Sequence, residues 1–400
     1  MKTKASIIKK SNAKVEIPKK IAVINDLSGY GHCSLAVTLP IISALGIQAC
    51  PVPTAILSNH TGFPSEYKYD FTDHMEPYID AWKQLKLNFD GIITGYMNYD
   101  SQVKIAAQFI EHFKKPETVV LVDPAMADNG KLYRGFTDDY AGFIKDRLVR
   151  QATVIKPNIT EACMLTGFDY DEIMSAAREH TMRRLKSYLM QIVDDLRKLG
   201  PEKIVITGLD RGDRILNTLA DENEVKFISV RKTGHNRSGT GDIFSSIVIS
   251  SLLINMNLEH AVRKASDFIG TAIAISDAAG VPIAEGVIFE KIIFYGIKVF
   301  FRWEPSCRRP AMSQHTANGE QGTLYVRELG KCFHGHWIFR HVNQEFHDAE
   351  PYLLDTPSGS GKTTFFRCLC GLEQPEEGEV SGIDTFSVQF QEDRLCEDYS

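Results

Sequence analysis

The stretch KTGHNRSGTGDIFSSIVISSLL (232–253) joins a glycine-rich turn to an apolar helical run, with Gly239, Thr240, Gly241 and Asp242 where the run begins. Backbone N–H groups left free at a helix start, with the positive end of its dipole, suit a phosphoryl group in transfer. An aspartate there can take the proton of an attacking hydroxyl, a general-base role worth roughly 10²–10⁴-fold. Asp242 can equally be a plain N-cap, where Asp is common. Three other segments end apolar runs in polar residues. KPNITEACMLTG places Asn158 three residues before Glu161, VDPAMAD carries Asp123 with Asp128 beyond it, and VITGLD reaches Thr207 and Gly208. Each has a bland use: Asn158 as a helix cap, Asp123 as a turn residue before Pro124, Thr207-Gly208 as a strand exit. Four such coincidences argue better for one site.

These residues need a scaffold that gathers strand ends. IAVIND (21–26), VPTAIL (52–57), GIIT (91–94), VVLVDP (119–124), VIKPN (153–158 region) and IVITG (204–208) read as buried strands. Between most of them the spacing is helical. Leu185, Leu189, Ile192, Val193 and Leu196 make one apolar stripe. Strands alternating with helices predict a mainly parallel sheet covered on both faces, with ligands beyond the C-terminal strand ends.

The GTGD turn, the NITE string and the DP after a strand resemble the ribokinase superfamily over roughly residues 20–290. The resemblance implies a three-layer α/β sandwich that transfers phosphate from ATP. It casts Asp242 as the base and the 239–241 backbone as the anion hole. Asn158, Thr207 and Gly208 fall near the nucleotide, Asp123 in the metal–phosphate network, and Glu161 near Mg²⁺ through metal-bound water. A monovalent cation is a further candidate cofactor. Mg²⁺ offsets charge where two anionic reactants meet, and the protein aligns hydroxyl and γ-phosphate.

INDLSGYGHCSLAVTLPIISALG (24–46), AILSNHTGFP (55–64) and ITGYM (93–97) resemble the pyridoxal/pyridoxamine kinase branch. That resemblance carries ring contacts over to His60, Thr61 and Tyr96. Asn59 and His60 can also simply build a turn, and Tyr96 can be an ordinary half-buried aromatic. Where many pyridoxal kinases have a serine after the first strand, this chain has Asp26, with Ser28 two positions on. Both are candidates, and a carboxylate there favours a cationic aminomethyl group or a protonated ring nitrogen. Hydroxymethylpyrimidine kinase is the competing activity, against which SNHT and Tyr96 lean.

Residues 299–322 lose periodicity and gather Pro, Arg, Ser, Asn and Gly, as a linker does, and 323–400 restart with another logic. TPSGSGKTTFFRCLCGLEQPEEGEVSG (356–382) supplies the second half of a P-loop, with Gly361, Lys362 and Thr363 in phosphate and Mg²⁺ positions and Thr356 where a glycine belongs. This tail resembles the start of an ABC-transporter ATP-binding domain, with Gln391 as its Q-loop glutamine and Phe333 as the adenine-stacking aromatic. Walker B, signature and switch parts do not follow, so a truncated fusion remnant is expected rather than a transporter ATPase subunit. Phe365, Phe366 and Leu369 are expected to be partly exposed there.

The 400 residues, 43% hydrophobic and 24% charged, suit two or three globular domains. The net charge of −6 gives no reason to expect nucleic acid or an anionic membrane as partner. No run nears the ~20 apolar residues of a membrane helix. The lysine-rich residues 1–19 read as a solvated tail, and eight scattered cysteines as reduced thiols. A cytoplasmic homodimer using ATP and a B6 vitamer is the expectation.

Overall fold

The computed structural model describes residues 17–137, 139–179, 181–293, 323–333, 336–347, 362–369 and 373–382. The chain divides into two units, 1–302 and 303–400.

In the first unit the apolar runs fold as strands β1 (Lys20–Ser28), β2 (Gln48–Leu57), β4 (Gly91–Thr94), β5 (Val119–Val122), β8 (Val154–Ile155) and β9 (Lys203–Asp210). All six run parallel, in the spatial order β9-β8-β5-β4-β1-β2. Three antiparallel strands extend the edges. They are β3 (Lys68–Asp70) beside β2, and β10 (Arg214–Ala220) and β11 (Val225–Arg231) beyond β9. The short pair β6 (Ala127–Asp128) and β7 (Lys131–Leu132) forms a separate hairpin.

Successive side chains of a strand point to opposite faces, so a strand buried on both sides is apolar throughout. Ile21 and Val23 of β1 pack into one core, Ala22 and Ile24 into the other. Ile92 and Ile93 of β4 divide the same way, as do Val205 and Ile206 of β9. One face is covered by α1 (Leu35–Ala44), α8 (Thr240–Leu253) and α9 (Leu258–Ala278). On the other lie α2 (Thr72–Gln84), α3 (Asp100–Phe113), α4 (Tyr140–Arg147), α5 (Ile159–Thr166), α6 (Tyr170–Ala177) and α7 (Arg183–Arg197). The Leu185-to-Leu196 stripe is the buried face of α7. This is a three-layer α/β sandwich around a mainly parallel sheet.

In the second unit β12 (Thr323–Phe333) lies between β13 (His336–His347) and β14 (Glu377–Gly382), all antiparallel. Helix α10 (Lys362–Leu369) contributes Phe365, Cys368 and Leu369 to a small core with Val326 and Leu329. The expected exposure of Phe365 and Leu369 is therefore corrected: strand β12 supplies the apolar cover that the sequence pattern did not reveal. The Phe366 side chain, Gly361, Gln391 and the 299–322 segment lie outside the described residues. Lys362 and Thr363 open α10, but their side chains also fall outside the description. The Phe333 ring is 42% exposed on one side and carries the Lys331 ammonium 4.9 Å from its centroid.

Candidate active site

The C-terminal ends of the parallel strands converge on the start of α8. Gly239 caps this helix with φ 78°. A β-carbon at Gly239 would run into the His32 carbonyl, so only glycine fits a turn both left-handed and pressed on a neighbouring backbone. The next residues, Thr240 and Gly241, leave their N–H groups at the helix start, where no earlier turn supplies carbonyl partners.

Asp242 stands in the first turn of α8 and is tethered from β1 and the loop after it. The Asn25 side-chain amide donates to its Oδ1 at 3.0 Å, and the Ser34 backbone N–H donates to its Oδ2 at 2.9 Å. Burial pushes the Asp242 carboxyl up to about 6. Repulsion from Asp123 and Asp26 adds to the rise, while the Ser34 N–H and Lys156 oppose it. A carboxylate so poised is ionised at neutral pH yet basic enough to accept a proton. The N-cap of α8 is Gly239, so Asp242 is not a plain N-cap, and both its oxygens are held from outside the helix.

Asp123 follows β5 and is buried. Its Oδ2 accepts from Lys156 Nζ at 2.7 Å and from Ser245 Oγ of α8 at 2.8 Å. The Lys156 side chain is only 5% exposed, so this is a charge pair removed from solvent. Burial alone would drive the ammonium down, but Asp123, Glu161 and Asp242 raise it beyond its ordinary value. The same ammonium lies 3.5 Å from where a β-carbon of Gly241 would sit. A permanent positive charge thus borders the glycine turn. Sequence reasoning gave Lys156 no role; a lysine closing an otherwise apolar strand was the available signal.

Asn158 and Glu161 form a reciprocal capping box at the start of α5. Glu161 N donates to Asn158 Oδ1 at 2.9 Å, and Asn158 N donates to Glu161 Oε2 at 2.8 Å. Glu161 Oε1 also accepts from Met126 N at 3.0 Å. Burial and the neighbouring Asp123 charge raise the Glu161 carboxyl. With both its oxygens engaged by backbone, Glu161 is suited to act on a metal through water. Asp123 Oδ1 has no partner among the described contacts, which leaves one carboxylate oxygen facing the cluster. Mg²⁺ is commonly held by one or two carboxylates plus substrate phosphates and waters, and this pair fits that donor set. Among the described residues no group of three or more His, Cys, Asp or Glu side chains forms a metal cage. Thr207 bridges in register with Asn158, and Gly208 follows with φ 76°, its N–H bound to Asn217 Oδ1 at 3.1 Å.

At the other end Asp26 and Ser28 are both buried, 3.2 Å apart through the Ser28 hydroxyl. Burial raises the Asp26 carboxyl, partly offset by Ser34, Ser28 and Lys68. Asn25 is the hinge of this region. Besides holding Asp242, its Oδ1 accepts from the Asp26 and Tyr96 backbone N–H groups at 3.0 and 2.9 Å. Tyr96 is half-buried, its hydroxyl donating to Asn98 at 2.9 Å. Burial pushes that hydroxyl up to about 12, so the ring is a neutral wall. His60 has both ring nitrogens engaged within the protein. Gly62 N donates to Nδ1 at 3.0 Å, which makes Nε2 the donor to the Ala284 carbonyl at 2.5 Å. Thr61 is exposed beside it and belongs to the loop rather than to the buried cluster. No helix of the described residues is long and apolar enough to cross a membrane.

Residues 39–287 match the phosphomethylpyrimidine kinase family. The bovine pyridoxal kinase is 27% identical over 238 residues, 54% of this chain and 71% of the relative. A Bacteroides thetaiotaomicron structure described as a phosphomethylpyrimidine kinase, in a form with pyridoxal, is 34% identical with a TM-score of 0.63, covering 70% of this chain and 95% of that one. The pyridoxal kinase structure from Lactobacillus plantarum has a TM-score of 0.62 at 26% identity, covering 70% and 97%. Sequence and architecture point the same way, and the chain belongs to the phosphomethylpyrimidine kinase family, with its ribokinase-like fold.

Proposed function

We propose that residues 20–298 transfer the γ-phosphoryl group of ATP to the 5'-hydroxymethyl group of pyridoxal, pyridoxamine or pyridoxine. The observation that carries this reading is the Asp242 carboxylate, raised to about 6 and held by Asn25 and Ser34 at the mouth of the glycine turn. Asp242 takes the hydroxyl proton as the new O–P bond forms. The bond from the γ-phosphorus to the β,γ-bridging oxygen breaks, and ADP leaves with that electron pair. N–H groups of Gly239, Thr240 and Gly241 meet the charge on the transferring group, beside the Lys156 ammonium. Mg²⁺, arriving with ATP, would be held by Asp123 and by water on Glu161, and would offset the phosphate charge. Asn158, Thr207 and Gly208 line the nucleotide side.

At the vitamer end, Tyr96 supplies an apolar wall and the His60–Thr61 loop the cover. Asp26 and Ser28 supply polar contacts, and the Asp26 carboxylate suits a cationic aminomethyl group, so pyridoxamine is the favoured vitamer. The relatives named pyridoxal kinases and the relative solved with pyridoxal support a B6 vitamer as the acceptor. A hydroxymethylpyrimidine is the second reading, favoured by the family match. ADP release with a panel of B6 vitamers and hydroxymethylpyrimidines separates them. Vitamers are expected to turn over fastest, and turnover of the pyrimidine alone would overturn the reading. A homodimer and a cytoplasmic setting accompany it. Residues 299–322 serve as linker, and 323–400 as a second unit resembling the start of an ABC ATP-binding domain, outside the reaction.

A further inference from the structure

Arg237 lies two residues before the glycine turn and is 7% exposed. Every one of its five N–H bonds is used. Its Nε and Nη2 donate to Asp277 Oδ1 at 3.0 and 2.5 Å, and Nη2 also reaches the Val281 carbonyl at 2.9 Å. Nη1 donates to the Pro282 and Gly286 carbonyls at 3.2 and 3.0 Å. Three main-chain carbonyls and a carboxylate gathered around one cationic group are oxygen donors of the kind that hold a hard cation. Here the protein's own guanidinium fills that position. The monovalent cation considered from the sequence therefore does not fit at this place.

Segment 281–286 is also where the other walls of the site are fastened. Its Glu285 carbonyl accepts from His32 N at 2.8 Å, and its Ala284 carbonyl accepts from His60 Nε2. The His32 carbonyl is pressed against both Gly239 and Gly286. Two residues beyond His32, the Ser34 N–H holds Asp242. One guanidinium thus links the turn that carries the anion hole to the segment that fixes both the loop holding the base and the loop over the vitamer.

We infer that Arg237 is a positioning residue for phosphoryl transfer: an internal cation that orders the 239–241 turn and makes the reaction independent of any monovalent ion in this cradle. The inference rests on the kinase reading, and its test separates the two. Turnover and KM of the full chain are measured with saturating MgATP in sodium, potassium and choline buffers. Wild-type turnover is expected to agree within about twofold across them, since a displaced turn typically costs ~10²-fold and none is displaced here. Arg237→Ala is expected to lose turnover by ~10²-fold with KM for ATP little changed, and millimolar guanidinium chloride to restore a large part of it. Arg237→Lys keeps charge but not five directed bonds, and is expected to fall between. A second readout needs no activity: amide exchange at Gly239–Gly241 should quicken in Arg237→Ala and slow again with guanidinium. If no vitamer is phosphorylated by wild type, the kinase reading fails while the exchange data still decide the Arg237 claim. Strong potassium dependence of the wild type overturns the inference. So does a loss in Arg237→Ala that guanidinium leaves untouched in both readouts, or unchanged turnover and exchange in that variant.

Discussion

In the base role proposed for it Asp242 would act only when ionised, and its carboxyl is raised to about 6 chiefly by burial. The protonated, inactive form therefore predominates below that pH, and kcat/KM should fall on the acid side with an inflection near pH 6. Asp242→Asn should lower kcat by ~10²-fold or more and abolish that inflection, with ATP binding nearly intact. Near-normal turnover in the mutant, read in a coupled ADP assay, would reduce Asp242 to a helix residue. Asp123, Glu161 and Asp242 were legible in the sequence because each borders an apolar run in a recognisable string. Lys156 and Asn25 were not. A polar residue closing a strand reads as its solvated end, and only the register of β8 between β5 and β9 brings Lys156 beside Asp123. Arg237 was hidden for a related reason: within a polar loop, nothing local announces partners at 277–286.

Among the elements, α5 ties structure to the proposed chemistry most closely, since the carboxylate that closes its capping box also neighbours Asp123 and Lys156. Glu161→Gln removes the charge and keeps a single acceptor oxygen, so its amide N–H₂ meets either the Asn158 or the Met126 N–H. The Mg²⁺ concentration for half-maximal activity should rise, and the melting temperature should fall, because one buried N–H loses its acceptor at a cost of ~1–3 kcal/mol. An unchanged Mg²⁺ titration would remove Glu161 from the site. The parallel strands were legible because burial on both faces makes them continuous apolar runs, and α7 because one face alone is apolar. The antiparallel strands β3, β10 and β11 were not. Asn217 and Thr218 are buried inside β10, and polar residues in that position disguise a strand. Asn217 is satisfied there by Ser266 Oγ and Gly208 N, partners at 49 and 9 residues' distance.

On the scale of the whole molecule, every polar group placed in the cluster lies in the first unit, between Asn25 and Ser245. A chain ending at residue 298 should retain vitamer phosphorylation within about twofold, and Lys362→Ala in the full chain should leave it unchanged, since Lys362 belongs to the second unit and the cluster is built from the first. Loss of turnover on truncation, with the first unit's circular dichroism intact, would make the second unit part of the working enzyme. The Asn25–Asp242 hydrogen bond joins residues 217 apart in sequence, and it bears on how the chain comes to life. Contacts of such separation close late, after loop entropy has been met by many nearer ones. The base therefore has no tether until the first strand of the sheet and the penultimate helix of the layer have found each other. During refolding from denaturant, helical signal should return well before enzymatic turnover. A chain stalled halfway through synthesis would carry most of its sheet and none of its catalytic power.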